Sequence, residues 1–180
     1  MDKLCRMSSN IINFFFFFLL FTFACQKANP NLDEKGRDEL KNLEIDGAID
    51  KAKQNFYDLI YVPIYSDIYV DQQNQSALLA ATLSIRNTSY TDSLFVSKID
   101  YFNTEGVLVR AYIDKPISIL PMATINYVVE KDDDTGGNGA NFIVEINSKN
   151  KNAKPLIQAI MIGQSRNLGF AFSTDGYSIK

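Results

Sequence analysis

The sequence predicts an all-β domain, an immunoglobulin-like antiparallel β-sandwich of about seven or eight strands, preceded by a signal peptide and a partly helical tether. Three observations predict this organisation. Short runs of β-branched and aromatic residues, separated by turn clusters, follow one another from Tyr57 onward. An apolar run near the N-terminus ends on Cys25. A charged segment with weak helical periodicity lies between the two.

The N-terminal segment has the three parts of an export signal. Lys3 and Arg6 give a basic start, residues 11–24 form the apolar core, and Ala24 is the small residue before a cut. A helix needs about 20 apolar residues to span a bilayer, so this run is shorter than a typical transmembrane helix. We therefore predict that residues 1–24 are a signal peptide and that the chain is exported.

Cys25 follows the small residue directly, and Thr22-Phe23-Ala24-Cys25 resembles the lipobox of bacterial lipoproteins, in which the cysteine is acylated through its sulfur. The alternative is an ordinary signal peptide or an uncut anchor. The other cysteine, Cys5, lies in the segment that would be removed, so the mature chain can form no internal disulfide. The prediction is a palmitate-bearing lipoprotein, anchored on the periplasmic side or at the outer membrane of a bacterial envelope.

Residues 25–56 are predicted to be the lipidated cysteine and a tether. The segment is rich in charge, and its apolar residues, among them Leu40 and Leu43, recur at spacings of three, four and seven, which favours a weakly amphipathic helix. Gly47 interrupts that pattern. The folded domain is predicted to occupy residues 57–180.

Eight runs in this domain have the length and composition of strands. In the second run, Leu79, Ala81, Leu83 and Ile85 alternate with more polar or smaller residues, which places one face of the strand in a core. The fifth run is predicted to bend at Pro121, because proline cannot donate to a β-ladder. The predicted strands are residues 60–65, 78–88, 94–103, 107–113, 117–130, 141–147, 156–162 and 168–173.

The composition excludes several classes of function. The chain has no histidine, which removes histidine-based acid–base catalysis and the serine–histidine and cysteine–histidine nucleophiles. The usual zinc and copper sites are removed as well. The formal charge of −3 becomes −4 when the segment with Lys3, Arg6 and Asp2 is cut off. Without a basic block, the domain is expected to bind no nucleic acid and to attract anionic lipid head groups weakly.

An acidic and glycine-rich segment is the first candidate site. An EF-hand template that starts at Asp134 finds Asn138 at its fifth position and Glu145 at its twelfth, and Asp132 is a further oxygen donor. The template fails at its third position, Gly136, and strands flank it where helices should stand. The alternative is a solvated hairpin loop whose glycines take positive φ angles.

Arg86 is the second candidate, because it stands among apolar residues in the middle of a predicted strand. It would form a structural ion pair if Glu130 or Glu145 lay on the neighbouring strand, and an anion site if it lay unpaired in a cleft. A charge that simply faces solvent is the third interpretation.

Several blocks resemble a bacterial family known as domain of unknown function 3124. The likeness covers about residues 60–175, so it leaves out the tether. It implies a small exported β domain and adds no activity, ligand or catalytic residue. The blocks are YVPIYSDIY at 61–69, ATLSIRNT at 81–88, PMAT at 121–124, GGNGANFIVE at 136–145 and MIG at 161–163.

The sequence leaves two functions open. The first is a non-catalytic interaction module, without cofactor, that binds another envelope protein and is held at the membrane by its lipid. The second is a carboxylate-based calcium- or small-ligand-binding module, or a hydrolase, that uses residues 132–145. Function must be argued from sites and not from a fold, and the sequence favours the first because it lacks the usual catalytic residue types.

Overall fold

The computed structural model describes residues 41–47, 49–50, 53–70, 76–165 and 167–180. All of them belong to one compact unit, Asp33–Lys180. Within these ranges, no helix is long and apolar enough to cross a membrane. The predicted signal peptide and Cys25 lie outside the described residues.

The described residues form eleven strands, and all their pairings are antiparallel. The strands are β1 (Phe56–Pro63), β2 (Asp67–Tyr69), β3 (Ser76–Arg86), β4 (Leu94–Phe102), β5 (Leu108–Ala111), β6 (Ile117–Ile119), β7 (Thr124–Val129), β8 (Asn141–Ser148), β9 (Leu156–Ser165), β10 (Leu168–Asp175) and β11 (Tyr177–Ser178).

The strands form two sheets. The six-stranded sheet has the order β11-β1-β8-β4-β5, and β6 also pairs with β4. The five-stranded sheet has the order β10-β9-β3-β2, and β7 also pairs with β3. β2 and β7 lie along successive parts of β3, opposite residues 76–78 and 81–86. The fold is therefore all-β and sandwich-like, as the sequence predicts.

One hydrophobic core lies between the two sheets. Alternate residues of each long strand are buried, in accordance with the two-residue period of a strand. Tyr101 and Phe142 are the largest of the fully buried side chains, and their ring centroids are 5.3 Å apart. Both sheets contribute to the same cluster, which includes Val62, Leu83, Ile85, Val96, Ile99, Val144, Ile146, Ala159 and Met161.

Each predicted strand has a counterpart, but the predicted count of seven or eight is not confirmed. The fifth run divides around Pro121, as expected, and its two parts enter different sheets, β6 in one and β7 in the other. The short strands β2 and β11 were missed, because two or three residues cannot display a hydrophobic period.

The two ends of the sandwich are built from different loops. The glycine-loop end contains residues 64–66, 103–106 and the glycine loop, residues 130–140. The lysine-loop end contains residues 87–93, 120–123 and the lysine loop, residues 149–155. Hydrogen bonds between loops hold each end together. The Ile64 amide donates to the Ala140 carbonyl at 2.9 Å, and the Asn87 amide donates to the Ala123 carbonyl at 3.0 Å.

Part of the predicted tether packs on the domain. Glu44 forms an antiparallel bridge with Ile117, and the Ser118 amide donates to the Leu43 carbonyl at 2.9 Å. Leu43 also packs against the core. The ordered contacts of the domain therefore begin before residue 57, because an apolar residue of the preceding segment is buried against β6.

Candidate functional site

The glycine loop packs against the body of the domain. It joins β7 of the five-stranded sheet to β8 of the six-stranded sheet, so it crosses between sheets and is not a hairpin. The Ser66 amide donates to the Gly137 carbonyl at 3.0 Å, and the Thr104 amide donates to the Gly136 carbonyl at 2.9 Å. Gly137 has a φ of 72°, a conformation that favours glycine.

A buried hydroxyl pair lies beneath this loop. The Ser66 Oγ and Tyr101 Oη atoms are 2.9 Å apart, and both residues are fully buried. A Cβ atom on Gly136 would stand 1.8 Å from the Tyr101 hydroxyl oxygen, so only glycine fits there. Burial raises the pKa of Tyr101, while the hydrogen bond with Ser66 opposes that shift. Because it is sealed from solvent, the pair serves packing and cannot reach a substrate.

The acidic residues of the glycine loop differ in exposure and in their partners. Asp133 lies 3.5 Å from the Arg110 guanidinium and accepts hydrogen bonds from the amide and hydroxyl of Thr135. Asp132 and Asp134 are exposed. These contacts order the loop locally and leave the two exposed carboxylates in solvent.

The structure does not bring the predicted calcium ligands together. Glu145 lies between Leu59 and Lys98 in the six-stranded sheet, about 13 Å along β8 from Asn141, the residue at the end of the loop. Asn138 is half-buried in the loop itself. Among the described residues, no group of three or more acidic, cysteine or histidine side chains is placed to hold a metal ion.

Arg86 and Glu130 are far apart. Arg86 is opposite Thr124, the first residue of β7, whereas Glu130 follows the last residue of that strand. The separation along the strand is about 20 Å. Glu145 belongs to the other sheet. The Arg86 guanidinium donates to Ser84 Oγ at 3.3 Å and its side chain is exposed, so the predicted ion pairs do not form.

The lysine-loop end contains a polar cleft of about 280 Å³. Asn87 is its buried corner. The two hydrogens of its side-chain Nδ2 are shared among the carbonyls of Asp92, Ile119 and Leu120, at 2.8, 3.1 and 3.1 Å. These bonds connect the end of β3 in one sheet to the end of β6 in the other. The cleft is lined by residues that include Thr88, Tyr90, Leu94, Asn152 and Lys154.

Hydrogen bonds also hold the other wall of the cleft. Asn150 donates to the Asp92 carboxylate at 3.2 Å and accepts from the Asn152 amide at 2.9 Å. Across the cleft, the Thr88 hydroxyl donates to the Lys154 carbonyl at 2.6 Å. Side-chain hydrogen bonds therefore connect the loops that form the two walls.

The outer face of the five-stranded sheet has an apolar centre, which the sequence analysis did not single out. Residues that lie opposite one another on neighbouring strands form two adjacent rows across this face, and neither row has a charged side chain. The rows are Ala171–Ile162–Ala80 and Ser173–Ile160–Thr82–Val128. Ile162 is 53% exposed, Val128 48% and Ile160 40%. The sequence shows the alternation of inward and outward residues within each run, but it does not show which runs become neighbouring strands.

A family match decides where this chain belongs. The model of a protein family of unknown function, DUF3124, matches residues 57–179. The chain belongs to this family. A search of curated proteins gives no match. Among solved structures, the chain is similar to Thermotoga maritima 1070, with 15% identity and a TM-score of 0.40, over 67% of this chain and 92% of that one.

Four of the five blocks that carried the DUF3124 resemblance meet in two pairs, and the fifth, residues 161–163, lies beside β3. Residues 61–69 and 136–145 lie side by side, because β1 pairs with β8 and the Ser66 amide reaches the Gly137 carbonyl. Residues 81–88 meet 121–124 through β3, β7 and the Asn87 amide. In this member of the DUF3124 family, the blocks therefore supply contacts between neighbouring strands and between the loops next to them.

Proposed function

We propose that this chain is a lipid-anchored protein of a bacterial envelope, and that its β-sandwich domain binds another envelope protein without catalysis. The anchor part rests on the basic start, the apolar core and Cys25. The binding part rests on one observation, the apolar centre of the outer face of the five-stranded sheet. A contiguous exposed apolar patch on a folded domain marks an interaction site more often than scattered apolar residues do.

The partner is expected to present a matching apolar surface. Ile160, Ile162 and Val128 stand on a regular sheet whose backbone hydrogen bonds fix their positions. Arg86 and Asp175 lie beyond the apolar rows and would form part of a polar rim. An apolar centre with a polar rim is the usual arrangement of a protein–protein interface.

An immunoglobulin-like arrangement is part of the proposal. The pairs β3–β7 and β4–β8 correspond to the B–E and C–F pairs of that fold, and β5 beside β4 corresponds to C′. β9 stands beside β3, where strand A would lie, and β1 stands beside β8, where strand G would lie. The central pairs support the assignment. The difference lies in the outer strands, because the first strand, β1, takes the place of strand G and the late strand β9 takes the place of strand A.

The anchor is tested by labelling bacteria with radioactive palmitate. The parent chain should take up label and sediment with membranes, and Cys25→Ser should lose both properties, because the acylated sulfur is gone. Cys5→Ser is the matched control and should keep both. Label on Cys25→Ser, or no label on the parent, would refute the anchor.

The binding surface is tested by affinity capture of the full chain from cross-linked membranes. Ile162→Lys should remove the partner that the parent captures, because it would bury an unpaired charge in an apolar contact. Ile179→Lys is the matched control, since Ile179 is equally exposed, at 53%, and lies beside β1 of the other sheet. Equal losses from both variants, or capture of this chain alone, would contradict the proposal.

A further inference from the structure

Three exposed apolar or aromatic side chains project from the lysine-loop end. Tyr90 is 83% exposed, Leu120 61% and Met122 57%. The Met122 amide donates to the Ser89 carbonyl at 3.1 Å, which holds the two turns together. Met122 has a φ of 62°, an uncommon conformation for a residue with a side chain. We call this group of three side chains the apolar tip.

Positive charge lies next to the apolar tip. Lys149, Lys151 and Lys154 are exposed in the lysine loop, and Lys154 lines the same cleft as Tyr90. Asp92 is near them, and its carboxylate accepts hydrogen bonds from Thr91 and Asn150. Its charge offsets one of the three lysines, so the group stays positive.

The opposite end of the domain is acidic. The exposed carboxylates of Glu105, Glu130, Asp132 and Asp134 lie at the glycine-loop end and outnumber the exposed Lys131 of the same loop. The domain has a small net negative charge, yet its two ends differ in sign. An anionic surface would therefore attract one end and repel the other.

Two described segments that precede β1 lie near the lysine-loop end. The Asn55 amide donates to the Ser148 carbonyl at 3.0 Å, and its side chain donates to the Lys149 carbonyl at 2.8 Å. Earlier, Leu43 and Glu44 run antiparallel to β6, so Lys41 lies in the direction of Leu120. Cys25 is 16 residues before Lys41, the first described residue.

We propose that the lysine-loop end docks on the anionic membrane that holds the lipid, with the apolar tip in the head-group layer and the three lysines on lipid phosphates. The inference rests on the proposed anchor at Cys25. Tyrosine favours the membrane–water interface because its ring is apolar and its hydroxyl is polar. Lysine near an anionic surface adds attraction that salt screens. Docking would leave the acidic glycine-loop end and the apolar sheet face away from the lipid.

The absence of tryptophan gives a direct test. Tyr90→Trp in the full acylated chain places the sole indole at the apolar tip. Val107→Trp is the control, because Val107 is 59% exposed in the turn before β5, at the glycine-loop end. Both proteins are reconstituted into vesicles that contain brominated phosphatidylcholine, with or without phosphatidylglycerol.

With phosphatidylglycerol present, the Tyr90→Trp emission should shift to the blue and be quenched by bromine, and the Val107→Trp emission should do neither. Changing Lys149, Lys151 and Lys154 together to Gln should lower the equilibrium constant for docking by about 100-fold. The quenching of the Tyr90→Trp emission should then be abolished. Changing Lys98 and Lys131 to Gln should leave the quenching of the Tyr90→Trp emission unchanged.

Two failures are distinguishable. If the protein does not float with the vesicles, the anchor is wrong. If it floats but the Tyr90→Trp emission is neither shifted nor quenched, or if Val107→Trp is quenched equally, the docking inference is overturned and the anchor stands.

Discussion

Replacement of Gly136 by alanine is expected to lower the free energy of unfolding by about 3 kcal/mol. The added Cβ would stand 1.8 Å from the Tyr101 hydroxyl oxygen and 2.6 Å from the Ser66 hydroxyl oxygen. Neither side chain can withdraw, because both are fully buried and form the hydrogen bond beneath the glycine loop. Urea unfolding followed by far-ultraviolet circular dichroism measures the loss.

Two further variants make this result specific. Gly169→Ala is the control, because the nearest atom to its added Cβ is 3.9 Å away, and its cost should be near zero. Tyr101→Phe in the Gly136→Ala background removes the atom in closest conflict and should restore part of the stability. If Gly136→Ala costs no more than Gly169→Ala, the glycine loop does not pack on Tyr101.

Replacement of Asn87 by alanine is expected to lower the free energy of unfolding by about 3 kcal/mol. The amide group of Asn87 donates to the carbonyls of Asp92, Ile119 and Leu120, and its oxygen accepts from the Ser89 amide at 3.0 Å. Removal takes a donor away from three carbonyls, of which that of Leu120 keeps the Ala123 amide as a partner. It also breaks the side-chain connection between the end of β3 and the end of β6. The same urea titration measures the change.

The consequence should extend to the apolar tip. Asn87 holds the turn that carries Tyr90 and the carbonyl of Leu120, so Asn87→Ala should also reduce quenching in the Tyr90→Trp protein. Asn126→Ala is the control for stability, since Asn126 is exposed on the outer face of β7 and should change the free energy of unfolding by less than about 0.5 kcal/mol. Equal losses from both variants would contradict the role of Asn87.

The candidate sites were less predictable than the strands. Asp134, Asn138 and Glu145 have calcium-like spacing along the chain, but β8 carries Glu145 into the opposite sheet from β7. Arg86 and Glu130 lie at the ends of runs that do become neighbouring strands. Glu130, however, is six residues along the chain from Thr124, the residue opposite Arg86. Spacing in sequence reports distance only within one element, and these pairs depend on which strands meet.

The sequence by itself determined the all-β class, the position of the long strands and the absence of histidine chemistry, because alternation and composition are local properties of the chain. Only the tertiary structure decided the two sheets, the buried contact between Gly136 and Tyr101, and the gathering of Tyr90, Met122 and the lysine loop at one end. Antiparallel pairing is a choice among distant partners, made by the burial of both inner faces in one core. That choice sets which loops share an end, and therefore which surface each end presents.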